Sequence, residues 1–300
     1  MIGVFDSGHG GLTVLRALVQ RFPDEAFVYF GDHAKAPYGD RASDEIVDLT
    51  RGAVETLFGV GCGLVLLACN TATCVAVRRL QQVWLPTTGF AKTHNVLGIV
   101  APTVEAATQT AWGVTSPQYP QKYNSDVIAV FGTTRTIASG VYSQEIHKRC
   151  PKVTVVQQAC PALAGAIEDG ASEVDLEQLV AGCVAAMLAQ TGGAPPHRAI
   201  LGCTHYPLVE PLFRRHLPAF TRLLSQPEVV ADSFEDYLTR HPRYRTGGRG
   251  LRLITTGDPG AVSAAARVLW PQGGGVRRSG DLGDWSAISV AQMVKGSGRR

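Results

Sequence analysis

The sequence predicts an α/β fold with mostly parallel sheets, and three observations carry that prediction. Short apolar runs alternate with helix-patterned segments nearly throughout the chain, the rhythm of repeated βα units. Each run is apolar without alternation and bounded by small residues, as strands covered on both faces are. A strand-Cys-Asn-Thr unit at Leu64–Thr71 and a strand-Cys-Thr unit at Ala199–Thr204 stand in different halves of the chain, which points to two pseudo-symmetric α/β lobes. Three hundred residues with 45% hydrophobic content are enough for two such cores.

In order, Ile2–Asp6 reads as the first strand, closed by the Asp6-Ser7 turn, and Leu12–Arg21 as the helix after it. Ala26–Gly31 is the second strand, ended by Gly31-Asp32, and the helical pattern resumes over Ser43–Phe58. Leu64–Cys69 is the third strand, with Thr71–Val83 helical behind it. Val96–Val100 and Val127–Gly132 are strands on either side of a Pro- and Tyr-rich excursion at Ala111–Ser125. Thr134–Arg149 reads as one helix, Val153–Gln157 as a strand, and Leu163–Glu168 and Val174–Ala189 as helices. Ala199–Cys203 is a strand, Leu208–His216 a helix and Leu251–Thr255 a final strand. Arg240–Gly250 and Gln272–Gly283 read as loops, and the last residues as a mobile end. The lobes are expected to divide as 1–95 plus 208–300, and 96–207.

Charge and composition narrow the function. The net charge of +3 comes from dispersed basic residues, so nucleic acid is not expected; Arg277-Arg278 and Arg299-Arg300 among Gly and Ser read as a solvated tail. The N-terminus lacks a basic, apolar leader, and no apolar stretch approaches the ~18 residues of a membrane span. Seven cysteines, an odd number in a chain of this length, do not form a disulfide scaffold. A soluble cytoplasmic protein with reduced thiols is the expectation.

Five strand endings carry polar or reactive groups: Asp6-Ser7, Gly31-Asp32, Cys69-Asn70-Thr71, Gly132-Thr133-Thr134 and Cys203-Thr204-His205. In parallel sheets ligands bind beyond the carboxyl ends of strands, although the same residue types also cap helices. Cys69 stands where the dipole and free N–H groups of the next helix favour a thiolate; a small buried hydrophobe is the plainer reading. Cys62 and Cys74, in a turn and within a helix, read as structural. His205, two residues after Cys203, is placed to relay its proton, or simply to cap. Two thiols at strand tips could face one ligand from opposite sides, the arrangement that inverting a carbon centre requires.

Asp6 leads a glycine-rich turn, DSGHGG, that meets neither GxGxxG nor GxxxxGK[ST], and an acid there would repel phosphate. It reads instead as an acceptor for an ammonium group or a proton near Cys69. Asp32 ends the second strand, and Pro37-Tyr38-Gly39 forms a turn able to cover a small ligand. Cys203-x-His205 is too few ligands for zinc. Pyridoxal phosphate needs a Schiff-base lysine, and none lies at the strand tips. No metal and no cofactor are expected.

DSGHGGLTV, YFGDHAKAPYG, CNTAT, FGTTRTIASGVY, LGCTHYPL and TTGDP closely resemble, in order, the motifs of glutamate racemase in the aspartate/glutamate racemase superfamily, over roughly residues 1–260. The resemblance implies two α/β lobes with the active site in the cleft between them. It implies cofactor-free interconversion of L- and D-glutamate, with the D-isomer destined for bacterial peptidoglycan. By the resemblance Cys69 and Cys203 match the two catalytic cysteines. Asp6, Glu168 and His205 assist them, as does Asp32. Ser7, Pro37, Tyr38, Gly39, Asn70, Thr71, Thr133, Thr136 and Thr204 join Asp6, Asp32 and His205 around the substrate. The resemblance implies that Cys69 deprotonates the D-isomer with help from Asp6, and Cys203 the L-isomer with help from Glu168 and His205. A homodimer is expected. His9, the missing glycine in IVAPTVEAA, the long 111–125 loop and Cys74 depart from the family pattern without removing a catalytic group.

Two other readings stay open. A racemase for aspartate or another acidic amino acid differs only in pocket size. A cysteine hydrolase would pair Cys203 with His205, but side chains so close along a strand tip are expected to point apart.

Overall fold

The computed structural model describes residues 1–269 except 112, 122 and 124, together with 285–287. The arginine tail and the 272–283 loop therefore lie outside the described residues, as does nearly all of the chain end. The chain divides into two compact units, Met1–Ile99 with the chain from Ala231 onward, and Val100–Val230.

The first unit opens with β1 (Ile2–Asp6), α1 (Leu12–Arg21), β2 (Ala26–Gly31), α2 (Ser43–Gly59), β3 (Leu64–Leu67), α3 (Asn70–Arg79) and β4 (Asn95–Gly98). The second carries α4 (Val100–Thr108), β5 (Val127–Gly132), α5 (Thr134–Ala138), α6 (Val141–Arg149), β6 (Thr154–Ala159), α7 (Leu163–Glu168), α8 (Glu173–Gln190), β7 (Arg198–Gly202), α9 (Glu210–His216) and β8 (Arg222–Leu224). Helix α10 (Gln226–Arg240) leads back to the first unit, which closes with β9 (Gly250–Thr255), α11 (Pro259–Leu269) and β10 (Trp285–Ala287).

Among the described residues all strand pairs are parallel. The first sheet has the order β10-β9-β2-β1-β3-β4 and the second β6-β5-β7-β8. The first four strands of each unit thus share one order: second, first, third, fourth. Cys69 follows the third strand of one and Cys203 the third strand of the other. β1, β3 and β7 are buried along their whole length, which is why they carry unalternating apolar runs, with Asp6 and Arg198 only at the strand ends. The four buried aliphatics of β3, at about 1.5–3 kcal/mol each, anchor the strand end.

Several elements differ from the sequence reading. The 134–149 helix is broken at Gly140, whose φ of 67° ends α5 and starts α6. The 71–83 helix is α-helical to Arg79 and continues as a π-helical turn over Leu80–Trp84 and a 3-10 turn over Leu85–Thr87. Helices α4, α10 and α11 and strands β8 and β10 went unassigned. β8 and β10 have three residues each, too few to show a period. The expected boundary at 207 is also corrected: β8 hydrogen-bonds to β7, so 208–230 belong with the second unit. The long 111–125 excursion has no regular structure where it is described. Arg198 stacks its guanidinium 3.6 Å from the centre of the Tyr123 ring and bonds Asp126 at 2.5 Å.

Candidate active site

In the first unit the candidate residues gather at the carboxyl ends of β1, β2 and β3. Cys69 occupies the N-cap of α3 and its sulfur accepts from the Ala72 N–H at 3.4 Å. The Ser7 hydroxyl lies 3.6 Å from the same sulfur. Asp6 accepts the Gly8 N–H at 2.8 Å, and Tyr29 pins this turn by donating to the Gly8 carbonyl at 2.8 Å. Asn70 and Thr71, in the first turn of α3, are buried beside Cys69.

The helix start does not make Cys69 a thiolate, contrary to the sequence expectation. Burial pushes its thiol up to about 12, and the adjacent Asp6 carboxylate adds to the rise. The hydrogen bonds from Ala72 and Ser7 work in the opposite direction and lose. Removal from water and a like charge therefore outweigh the helix terminus, and the Cys69 thiol keeps its proton. Cys62 is likewise pushed up, to about 11, by burial in the core.

Asp32 and Tyr38 meet each other. The Tyr38 hydroxyl donates to one Asp32 oxygen at 2.6 Å and the Thr256 hydroxyl to the other at 2.6 Å. Burial, then the Asp32 charge, raise Tyr38 well above the ordinary phenol range. Asp32 thus organises the strand ends of β2 and β9, with Tyr38 drawn in and Pro37 left exposed beside Gly39. Thr256 was missed as a site-supporting residue. Its signal was the TTGDP motif at the end of β9, the neighbour of β2.

In the second unit, Thr133 is the N-cap of α5: its hydroxyl accepts the Thr136 N–H at 3.3 Å and donates to the Thr136 hydroxyl at 3.0 Å. Cys203 follows β7, where the chain turns into a short helical segment begun by Tyr206-Pro207. This turn brings the Cys203 sulfur within 3.8 Å of His205 Nδ1, so the expectation that the two side chains point apart is corrected. His205 has a helical backbone there, not an extended one. Its Nε2 lies 3.5 Å from Glu168 on α7, an ion-pair distance. Burial alone pulls His205 down, but contact with Cys203 and with Glu168 overrides it and holds His205 well above the ordinary histidine range. Thr204 is buried between them in sequence. His205 thus bridges the Cys203 sulfur on one ring nitrogen and the Glu168 carboxylate on the other.

Among the described residues no three His, Cys, Asp or Glu side chains converge as a metal cage. No described helix is long and apolar enough to cross a membrane.

Known proteins resemble this chain over most of its length. A glutamate racemase from Phenylobacterium zucineum is 50% identical over 275 residues, spanning 90% of this chain and 96% of the relative. The solved structure of a glutamate racemase from Bacillus anthracis superposes with a TM-score of 0.77 at 27% identity, covering 97% of both chains. That of Thermus thermophilus glutamate racemase, in complex with beta-chloro-D-alanine, does so with a TM-score of 0.71 at 30% identity, again over 97% of both chains. No protein-family model matches the chain.

Proposed function

Because the chain belongs to the glutamate racemase family and is thereby an amino-acid racemase, we propose that it interconverts L- and D-glutamate without a cofactor, using Cys69 and Cys203 as its two acid–base groups. The observation that carries this reading is topological. Two sheets of one strand order each end their third strand in a buried, reduced cysteine beside acid–base partners. The amino-acid analogue held by the Thermus thermophilus relative supports a small amino-acid substrate.

The Cα proton of an amino acid is very weakly acidic, so carbanion character in the transition state needs electrostatic support. Ser7, Asn70, Thr71, Thr133, Thr136, Thr204 and adjacent backbone N–H groups supply donors for the two carboxylates. For L-glutamate, Cys203 removes the proton with His205 and Glu168 behind it, and the Cys69 thiol delivers one to the opposite face. For D-glutamate the roles exchange. Only a chain with one proton shared between the two sulfurs is competent. D-Glutamate made this way supplies peptidoglycan synthesis, by a cytoplasmic enzyme that acts as a homodimer and takes neither nucleic acid nor membrane as partner.

The test is incubation with L-glutamate in D2O, following Cα deuterium and D-glutamate together. Deuterium entering D-glutamate is expected. Turnover of L-aspartate with L-glutamate inert would assign the neighbouring acidic amino acid instead, and inertness of both would defeat the reading.

A pH profile tests the charge beside Cys69. L- and D-glutamate are mirror images with an equilibrium constant of one, so kcat/KM is equal in both directions at every pH. Activity disappears at high pH when the last thiol proton leaves. With Cys69 held near 12, that limb lies above the ordinary thiol value of about 8.5. Asp6→Asn keeps an acceptor for the Gly8 N–H but removes the like charge, so the limb is expected to move to lower pH in both directions alike. An unmoved limb would show that the Asp6 charge does not hold the Cys69 proton.

A further inference from the structure

Tyr142 closes the FGTTRTIASGVY motif and has no place in the acid–base chemistry. It is the second residue of α6, just past the break at Gly140, and is fully buried. The Gln226 side-chain amide donates to the Tyr142 hydroxyl at 3.0 Å and to the Thr103 hydroxyl at 2.9 Å, so both Nε2 protons are used. Gln226 and Thr103 are buried as deeply as Tyr142. One amide thereby ties α4, α6 and the first residue of α10 together.

The far side of the ring faces β7. Tyr142 Cε2 stands 3.5 Å from where a Cβ on Gly202 would be, and is the nearest side-chain atom to that position. Val130 of β5 follows at 3.6 Å, and the Phe131 carbonyl closes the space at 2.9 Å. Gly202 is the last residue of β7, and Cys203 comes next. Side chains alternate along a strand, so Leu201 and Cys203 join the core cluster that contains Tyr206, while Gly202 faces the Tyr142 side. Cys203 therefore leaves the strand directly beyond the bare backbone that the ring covers. A phenylalanine would fill the same volume. What the hydroxyl adds is a tether that keeps the ring from sliding along the strand.

We propose that Tyr142, held by Gln226, is a positioning residue for Cys203: the tethered ring fixes the end of β7 and with it the reach of the sulfur toward the substrate carbon. This inference rests on the two-cysteine reading of the site. In that reading Cys203 acts first on L-glutamate and last on D-glutamate, in a proton transfer separate from that of Cys69. A displaced Cys203 slows its own transfer and leaves the Cys69 transfer alone.

The experiment measures kcat/KM with L- and D-glutamate carrying hydrogen or deuterium at Cα, for the wild type, Tyr142→Phe and Gln226→Met. Unlabelled kcat/KM is expected to fall about tenfold in both directions, the cost of a shift of about half an ångström when 1 Å costs roughly 10². With deuterated L-glutamate the isotope effect rises, because removal of the label by Cys203 limits the rate more fully. With deuterated D-glutamate it falls toward its equilibrium value, because Cys69 removes the label ahead of the slow step. A partly unfolded chain loses rate in both directions with neither isotope effect moved, so opposite shifts separate positioning from stability. Tyr142→Phe keeps the ring and Gln226→Met keeps the side-chain length, and either serves if the other folds poorly. Variants that racemise with both isotope effects unchanged would overturn the role of Tyr142 and leave the two-cysteine reading intact. A wild type inert toward both isomers would overturn that reading and this inference with it.

Discussion

Cys69→Ala and Cys203→Ala each lose racemisation by on the order of 10³-fold or more, within the range a positioned acid–base group contributes. The loss is this large because, in the proposed mechanism, each sulfur serves both directions, once as base and once as acid. Both cysteines are buried at the ends of strands fixed by their own apolar packing. Each truncation removes one sulfur atom and is expected to cost only about 1 kcal/mol of stability. The measurement is circular dichroism of an L-glutamate solution followed to equilibrium, beside a thermal melt. A Cys69→Ala chain that melts normally and racemises within tenfold of the wild type would remove Cys69 from the chemistry.

Gly11→Ala is expected to damage the same site without touching a sulfur. Gly11 has an ordinary helical φ of −61° at the start of α1, so no backbone conformation demands glycine there. Space does. A Cβ would stand 2.5 Å from Asp6 Cβ, and 3.0 Å from both Asp6 Cγ and the Tyr29 hydroxyl. None of these is the end of a flexible chain: Asp6 is buried on β1, and Tyr29 is tied to the Gly8 carbonyl. Overpacking of this kind costs about 1–3 kcal/mol. Because Asp6 is the charge beside Cys69, its displacement moves catalysis too, by roughly 10²-fold for a shift near 1 Å. The checks are a melting curve and kcat/KM with L-glutamate. An unchanged melt with full activity would show that α1 moves away and leaves Asp6 in place.

Where the sequence reading failed, the deciding contact was distant or the element was short. Strands β1, β2 and β5 match their predicted bounds because continuous apolar runs ended by Gly, Asp or Ser are a local signal. β8 has three residues and is a strand only because β7 offers it hydrogen bonds. Lacking it, the sequence assigned 208–230 to the wrong unit. The helix break at Gly140 was visible as a glycine, but SGVY reads equally as helix until its φ is known.

What the residues alone determined is the parallel α/β class, the strand tips that carry Cys69 and Cys203, and the family motifs around them. Patterning, glycines and turn residues act over a few positions and are legible as text. The protonation of Cys69, the meeting of Cys203 with His205, and the capture of Asp32 by Tyr38 and by Thr256 (224 positions away) were decided only by the tertiary structure. Each depends on which groups are taken out of water together, and chain folding sets that burial over distances no local pattern records.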